Sequence, residues 1–235
     1  MKNRPVVLSG CFYGTNYGDH LFCDIFMDNI GARIKVKNAS DYIKEVSKCE
    51  SSSDLSILGA KAVIFASGGY MGEGDNESIL KKVRRLRHHY IPAIVCRLLG
   101  IPYSVIGVGV GPNQHKFTQK IIKYVITGAE KVTVRDIESK QYLEFYGVKR
   151  KDIIVTTDTA VIIPDKYDLG KEDEIIKNML SKVGENMQKV FFHVDPSSYY
   201  NKENLYNEIV NLVNRDKKIF LILGSDMISN VVVYT

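Results

Sequence analysis

The chain has 235 residues, 45% of them hydrophobic and 25% charged, with a formal net charge of +5. That is the make-up of a folded globular protein; no run approaches the ~18 apolar residues of a membrane span, and the mild positive balance does not call for nucleic acid. The four cysteines (Cys11, Cys23, Cys49 and Cys96) have no metal-type or Cys-x-x-Cys spacing, which removes zinc-finger and dithiol chemistry and leaves them as expected reduced thiols.

Pro5-Val6-Val7-Leu8 is a short apolar run and reads as a buried strand that the chain enters with no targeting segment before it. Leu21, Phe22, Ile25, Phe26 and Ile30 recur at helical spacing, closed by Gly31. The Gly-rich stretch Leu8–Asp19 therefore links a strand to a helix. In α/β sheets, ligands lie beyond the carboxyl ends of strands, where helix N-termini present free N–H groups. Gly10, Gly14 and Gly18 allow close backbone approach there. Asn16 and Asp19 stand where they cap the helix or hold a substrate hydroxyl.

Arg33–Val36 is a second strand. Residues 38–58 are polar, with Ser51-Ser52-Ser53-Asp54 as a cap before Leu55–Leu58. Lys61–Ala66 is a buried strand running into Ser67-Gly68-Gly69-Tyr70-Met71-Gly72, read as a second Gly-rich turn. It is either a tight turn or, because it repeats the position of the first, the lining of a site. Ser78–Leu99 has helical apolar spacing, with a kink or restart expected at Pro92. Lys81, Lys82, Arg84, Arg85 and Arg87, followed by His88 and His89, fan over more than half of that helix. The plainer reading is a solvated face; the sharper one is attraction of an acidic glycan or a lipid-phosphate surface, giving a peripheral membrane contact through 81–89.

Pro102–Val108 is the next strand, leading into Gly107-Val108-Gly109-Val110-Gly111-Pro112. Pro112 and the missing G-x-x-G spacing argue against a dinucleotide fingerprint; alternating glycines instead permit close approach to substrate or close packing. Phe117, Ile121, Ile122 and Val125 mark a helix ending at Gly128. Lys131–Val134 is a strand with Arg135-Asp136 at its end, then a helix over Ile137–Tyr146. Arg135 is placed to hold a carboxylate or phosphate bidentately. The alternatives are pairing with Asp136, or Asp136 capping the helix. Successive residues of an extended segment point oppositely, so Asp136 is expected to be a poor partner. Ile153–Thr156 is a further strand, followed by Asp158.

After a polar linker at Lys166–Lys171, helices are expected over Ile175–Val183 and Leu205–Val213, and strands at Val190–Val194 and Ile219–Leu223. Two regions follow: a Rossmann-like N-terminal domain over 1–165, with a doubly wound parallel α/β sheet, and a second β/α unit over 166–235. A complete doubly wound domain takes about 100 residues or more, so the second unit is expected to be partial and truncated.

Five segments in order resemble the polysaccharide pyruvyl transferase family. They are Asn16-x-Gly18-Asp19, Ser67-Gly68-Gly69, Gly107-x-Gly109-x-Gly111-Pro112, Thr133-Val134-Arg135-Asp136 with Glu138-Ser139, and Thr157-Asp158. Together they cover about residues 5–163. The resemblance implies the first half of a GT-B-like, two-domain architecture. It implies transfer of the pyruvyl group of phosphoenolpyruvate onto two sugar hydroxyls, forming a ketal, with no metal and no cofactor. Such chemistry serves exopolysaccharide or cell-wall biosynthesis. The implied partners are a glycan or lipid-linked sugar acceptor, in the cytoplasm or at the inner face of the membrane.

Carried over, Arg135 is the anion ligand, and Asn16, Gly18, Asp19, Ser67, Gly68, Gly69, Gly109 and Gly111 line the substrate. Asp19 and His193 are the candidates for catalysis. The family's later Arg/His-containing segment is not found, and His193 stands where an arginine is expected, as a substitute cation or acid or as a strand-end histidine bonded to backbone. The chain alone is therefore expected to be inactive. Two other classes compete: a GT-B-type glycosyltransferase using a nucleotide sugar, for which no clear Asp-x-Asp motif is present, and a non-catalytic glycan-binding fragment.

Overall fold

The computed structural model describes residues 4–14, 17–73, 77–162, 188–194, 207, 210, 211, 219–225 and 232–234. The chain divides into two compact units, Met1–Pro164 and Asp165–Thr235. In the first, the strands are β1 (Val6–Ser9), β2 (Ile34–Lys37), β3 (Ser51–Ser52), β4 (Ala62–Phe65), β5 (Gly68–Met71), β6 (Tyr103–Val110), β7 (Val132–Val134) and β8 (Ile154–Val155). They form one eight-stranded sheet in the order β3-β2-β1-β4-β6-β7-β8, with β5 paired to β6. Every pairing in it is parallel. The fold is α/β and Rossmann-like. Parallel strands need crossover connections, and here helices supply them: α1 (Tyr17–Asn29), α2 (Asp41–Ser47), α3 (Ile79–Arg85), α4 (Ile91–Leu98), α5 (Lys116–Gly128) and α6 (Ile137–Phe145).

Strand alternation divides the core between the two faces. Val7, Val63 and Phe65 pack with Ala93, Cys96, Ile122, Val125 and Leu143 of α4, α5 and α6. Leu8 goes to the opposite face with Phe22, Phe26 and Ile43 of α1 and α2. Both faces of β1 are thus dry, which is why its sequence is a continuous apolar run. Truncating Leu8, fully buried, to alanine costs about 2–5 kcal/mol.

Three local readings are corrected. Ser67–Gly72 is not a turn: after a break at Ala66–Ser67, β5 resumes along β6, pairing Gly68 with Val108 and Met71 with Val110 across a register shift. The glycine run likewise lies largely inside β6, which ends at Val110. Glycine read as turn chemistry here serves extended backbone that other groups approach closely. Residues 38–58 contain α2, whose N-cap Ser40 accepts from the Ile43 amide; Ser51–Ser52 form β3, and Ser53 makes no side-chain cap.

Pro92 restarts the helix, as expected. It sits in the first turn of α4, behind a π-helical stretch, Leu86–Tyr90. Proline lacks the donor for the carbonyl of residue 88 and crowds it, so the ladder widens upstream and the Ile91 amide reaches Leu86 O.

In the second unit β9 (Gln188–Val194) and β10 (Ile219–Ser225) pair in parallel. A strand unmarked by the sequence reading, β11 (Val232–Tyr234), is antiparallel to β10. The helix expected over Ile175–Val183 lies outside the described residues; of the one over Leu205–Val213, residues 207, 210 and 211 are described and helical.

Candidate functional site

The order β2-β1-β4 places the switch point of this sheet between the carboxyl ends of β1 and β4, tied by Ala66 N–H donating to Ser9 O at 2.8 Å. Cys11 and Tyr13, after β1, and Asp19, in the first turn of α1, lie beside it. Tyr70 stacks on His89, with ring centroids 4.0 Å apart, and donates through its hydroxyl to Ala66 O at 2.9 Å. Cys11 Sγ lies 3.9 Å from His89 Nε2, and the Tyr13 ring is 5.0 Å from that of His88. His89 Nδ1 is buried with no hydrogen-bond partner among the described residues.

Burial first, then the charges of Lys37, His88 and Arg85, push His89 down to about 3, so its ring is neutral at physiological pH. Burial and the nearby Asp19 charge push the Cys11 thiol up to about 12, which makes it unreactive. Burial also raises the Asp19 carboxyl to about 7. Asp19 stands in the first turn of α1, beside the Cys11 thiol whose proton its charge helps to hold. Its neighbour His20 turns into the protein, with Nε2 3.1 Å from Asp24 Oδ2 one turn on.

One strand over, the edge opens into a cleft of about 270 Å³ lined by Gly69, Gly72, Glu73, Gly109, Gly111, Arg135, Asp136 and Glu138. Arg135 leaves β7 with its amide bonded to Val108 O at 3.2 Å. Its guanidinium lies across β6: a Cβ added at Gly109 would fall 2.5 Å from Nε, and one at Gly69 would meet Nη1 at 3.6 Å. Gly109 thus leaves room for the side chain packed on it. Gly107 serves differently: its φ of 66° is left-handed.

Asp136 does engage Arg135, at 3.2 Å from Oδ2 to Nε. The alternation argument fails because the strand ends at Val134. Asp136 is the N-cap of α6, with Oδ1 accepting from Ser139 N at 2.7 Å, and the capping backbone swings its second oxygen toward the guanidinium. Burial pushes the Asp136 carboxyl up, but the Ser139 bonds and Arg135 more than offset it and hold it below the usual range. Asp158 Oδ2 lies farther, 3.9 Å from Nη1. Arg135 remains 39% exposed, and among the described residues Nη2 has no acceptor.

Of the residues singled out in the sequence, Gly69, Gly109, Gly111 and Arg135 meet in this cleft. Asp19 and Gly18 belong to α1 at the switch point. Ser67 is buried, paired with the Thr159 hydroxyl and donating to Ile106 O at 3.3 Å. Gly68 bridges the two regions: a Cβ there would come within 3.9 Å of Cys11 Sγ. Asn16 lies outside the described residues. His193 falls in β9, opposite Gly224, in the second unit. The sequence reading missed Glu73, which accepts from Gln114 N at 3.0 Å and Thr118 Oγ1 at 3.2 Å. It also missed His89, whose place in a basic run masked its burial.

The profile of the polysaccharide pyruvyl transferase family matches residues 16–232. The chain belongs to that family. The match runs past the segments that carried the resemblance and on into the second unit, and it agrees with the Rossmann-like sheet. Family membership makes this a transferase fold with a polysaccharide acceptor implied. No curated protein matches the sequence.

Proposed function

We propose that this family member moves the pyruvyl group of phosphoenolpyruvate onto a sugar of a cell-surface polysaccharide or its precursor, forming a pyruvate ketal and releasing phosphate. The observation that carries the reading is the Arg135 guanidinium, held over Gly109 at the mouth of an open cleft with one edge unengaged. A planar fork in that position suits a carboxylate or phosphate.

In the reaction, C2 of the donor gains two bonds to sugar oxygens and loses its bond to the phosphate oxygen. C3 takes a proton and becomes a methyl group. The two sugar hydroxyls give up two protons, one balancing C3 and the other leaving with phosphate. C2 gathers positive charge on the way, and the carboxylates of Asp136 and Asp158 beside Arg135 favour it. Asp19, held near neutrality by burial, relays a hydroxyl proton at the adjoining switch point, and the half-open ring of Tyr13 offers a face to the sugar. The reaction needs no metal or cofactor in this reading. Phosphoenolpyruvate is a cytoplasmic donor, so the reaction belongs in the cytoplasm, at the inner membrane face where the acceptor is lipid-linked.

The test is incubation with phosphoenolpyruvate and candidate glycans. Acceptor-dependent phosphate release together with a ketal methyl signal in the product supports the reading. Binding of a nucleotide sugar and not of phosphoenolpyruvate, read by calorimetry, overturns it in favour of a glycosyltransferase.

A further inference from the structure

The helical rod formed by α3, the π stretch and α4 leaves an apolar ridge in water. Ile79, Leu80 and Val83 are 79%, 82% and 55% exposed. Val83 lines two clefts at once. One, of about 360 Å³, it shares with Ile79, Leu86 and Phe117; the other, of about 460 Å³, with Leu80, Arg84 and Arg87. It therefore stands on the crest between them, and Phe117, at the start of α5 across the first cleft, is itself exposed. Among the described residues of the first unit, nothing covers these side chains.

Cations ring the ridge. Lys81, Arg84 and Arg87 are exposed, and Lys82 is partly so, its Nζ 2.9 Å from His115 Nε2. Arg85 is taken up by Glu77 in a buried pair. Arg87 approaches Asp54 at 3.7 Å, but Asp54 is already held by Lys37 and Asn38. Glu73, at the edge of the first cleft, is bonded to Gln114 and Thr118. The balance is an apolar crest inside a positive rim. Protein interfaces are depleted in lysine. An apolar strip with lysine and arginine beside it is the composition of a helix lying in the headgroup layer of an anionic membrane. Among the described residues no helix is long and apolar enough to cross a membrane.

We propose that this ridge docks the protein on an anionic lipid bilayer, with Ile79, Leu80, Val83 and Phe117 entering the headgroup layer and Lys81, Lys82, Arg84 and Arg87 meeting lipid phosphates. The proposal goes beyond the transferase reading, and its test needs neither donor nor acceptor, so either can fail alone.

The full chain is sedimented with vesicles of phosphatidylcholine alone and with about one-third phosphatidylglycerol, expecting at least roughly tenfold tighter binding to the latter, weakened by salt. Lys81→Glu with Arg84→Glu abolishes binding. Leu80→Ser with Val83→Ser lowers it roughly fivefold or more, because the crest supplies part of the affinity. These side chains are exposed, so the variants keep the parent's circular dichroism. Failure of the parent chain to bind anionic vesicles overturns the proposal, as does an apolar variant that binds like the parent. A dimer seen without lipid and dissolved by the apolar variant also overturns it, making the ridge a self-association face.

Discussion

The two regions at the carboxyl edge of the sheet solve the same problem in opposite ways. At the switch point, His89, Tyr70 and Cys11 are packed away from water, and burial keeps them neutral. At the ends of β6 and β7, Arg135 and Asp136 each face the other and water as well. Removing a neutral buried group leaves a cavity, whereas removing a half-exposed charge leaves a solvated partner. The first region should answer to mutation in stability and the second in ligand binding.

The largest effect that separates them is His89→Ala. Losing a buried ring stacked on Tyr70 should destabilise the fold by about 2–4 kcal/mol, read by urea unfolding. A loss under about 0.5 kcal/mol, the range of a surface change, would show that the switch point is not a packed unit.

Next is Arg135→Lys, which keeps the charge and loses the fork. It should weaken phosphoenolpyruvate binding by roughly 1–3 kcal/mol, the scale of one charge-assisted contact, with the unfolding midpoint little changed. If the variant unfolds readily while its folded fraction binds the donor normally, Arg135 is a brace between Asp136 and Asp158, and the comparison collapses.

A smaller, sharper contrast lies in pH. His89 falls to about 3 from an ordinary 6.5, so between those values the unfolded chain holds a proton that the folded chain refuses. Its share of stability is present above that window and lost as pH drops through it. Asp19 runs the other way. It rises to about 7 from 3.8, so the folded chain holds the proton across that window, and stability is lost as pH climbs through it. Melting temperature against pH should flatten on the acid side in His89→Gln and toward neutrality in Asp19→Asn. An unchanged profile in Asp19→Asn would remove Asp19 as a proton carrier.

The smallest effect is Asp136→Ala. It removes the cap of α6, costing about 1 kcal/mol. It also takes away the nearest competitor for Arg135, so donor binding should hold or tighten by calorimetry. Weaker binding would mean that Asp136 orients the guanidinium.

Much of the sheet was legible because its central strands are apolar runs, as at Pro5–Leu8 and Lys61–Ala66, and α1, α4 and α5 repeat their apolar residues. The glycines were legible as a signal and misread as geometry. Gly69 and Gly109 look like turn residues until Arg135 is laid across them, and no local pattern encodes a side chain arriving from another strand. The Asp136 contact was hidden because strand alternation was carried past Val134, where the strand ends and Asp136 caps α6. His89 was hidden by its neighbours: five basic residues just before it read as a wet face, and only the widened turn ahead of Pro92 carries it inward.

That widened turn acts as a phase shifter. A π stretch takes up about one extra residue, which is ~100° of helical rotation. Upstream of Leu86 the rod shows water its apolar crest and cations; downstream, Ala93 and Cys96 face the core. A single continuous α-helix could not keep both halves in those orientations. One proline lets one rod carry two differently aimed faces, so a one-residue deletion within Leu86–Tyr90 would swing the outer face relative to the inner without changing a single contact-bearing side chain upstream.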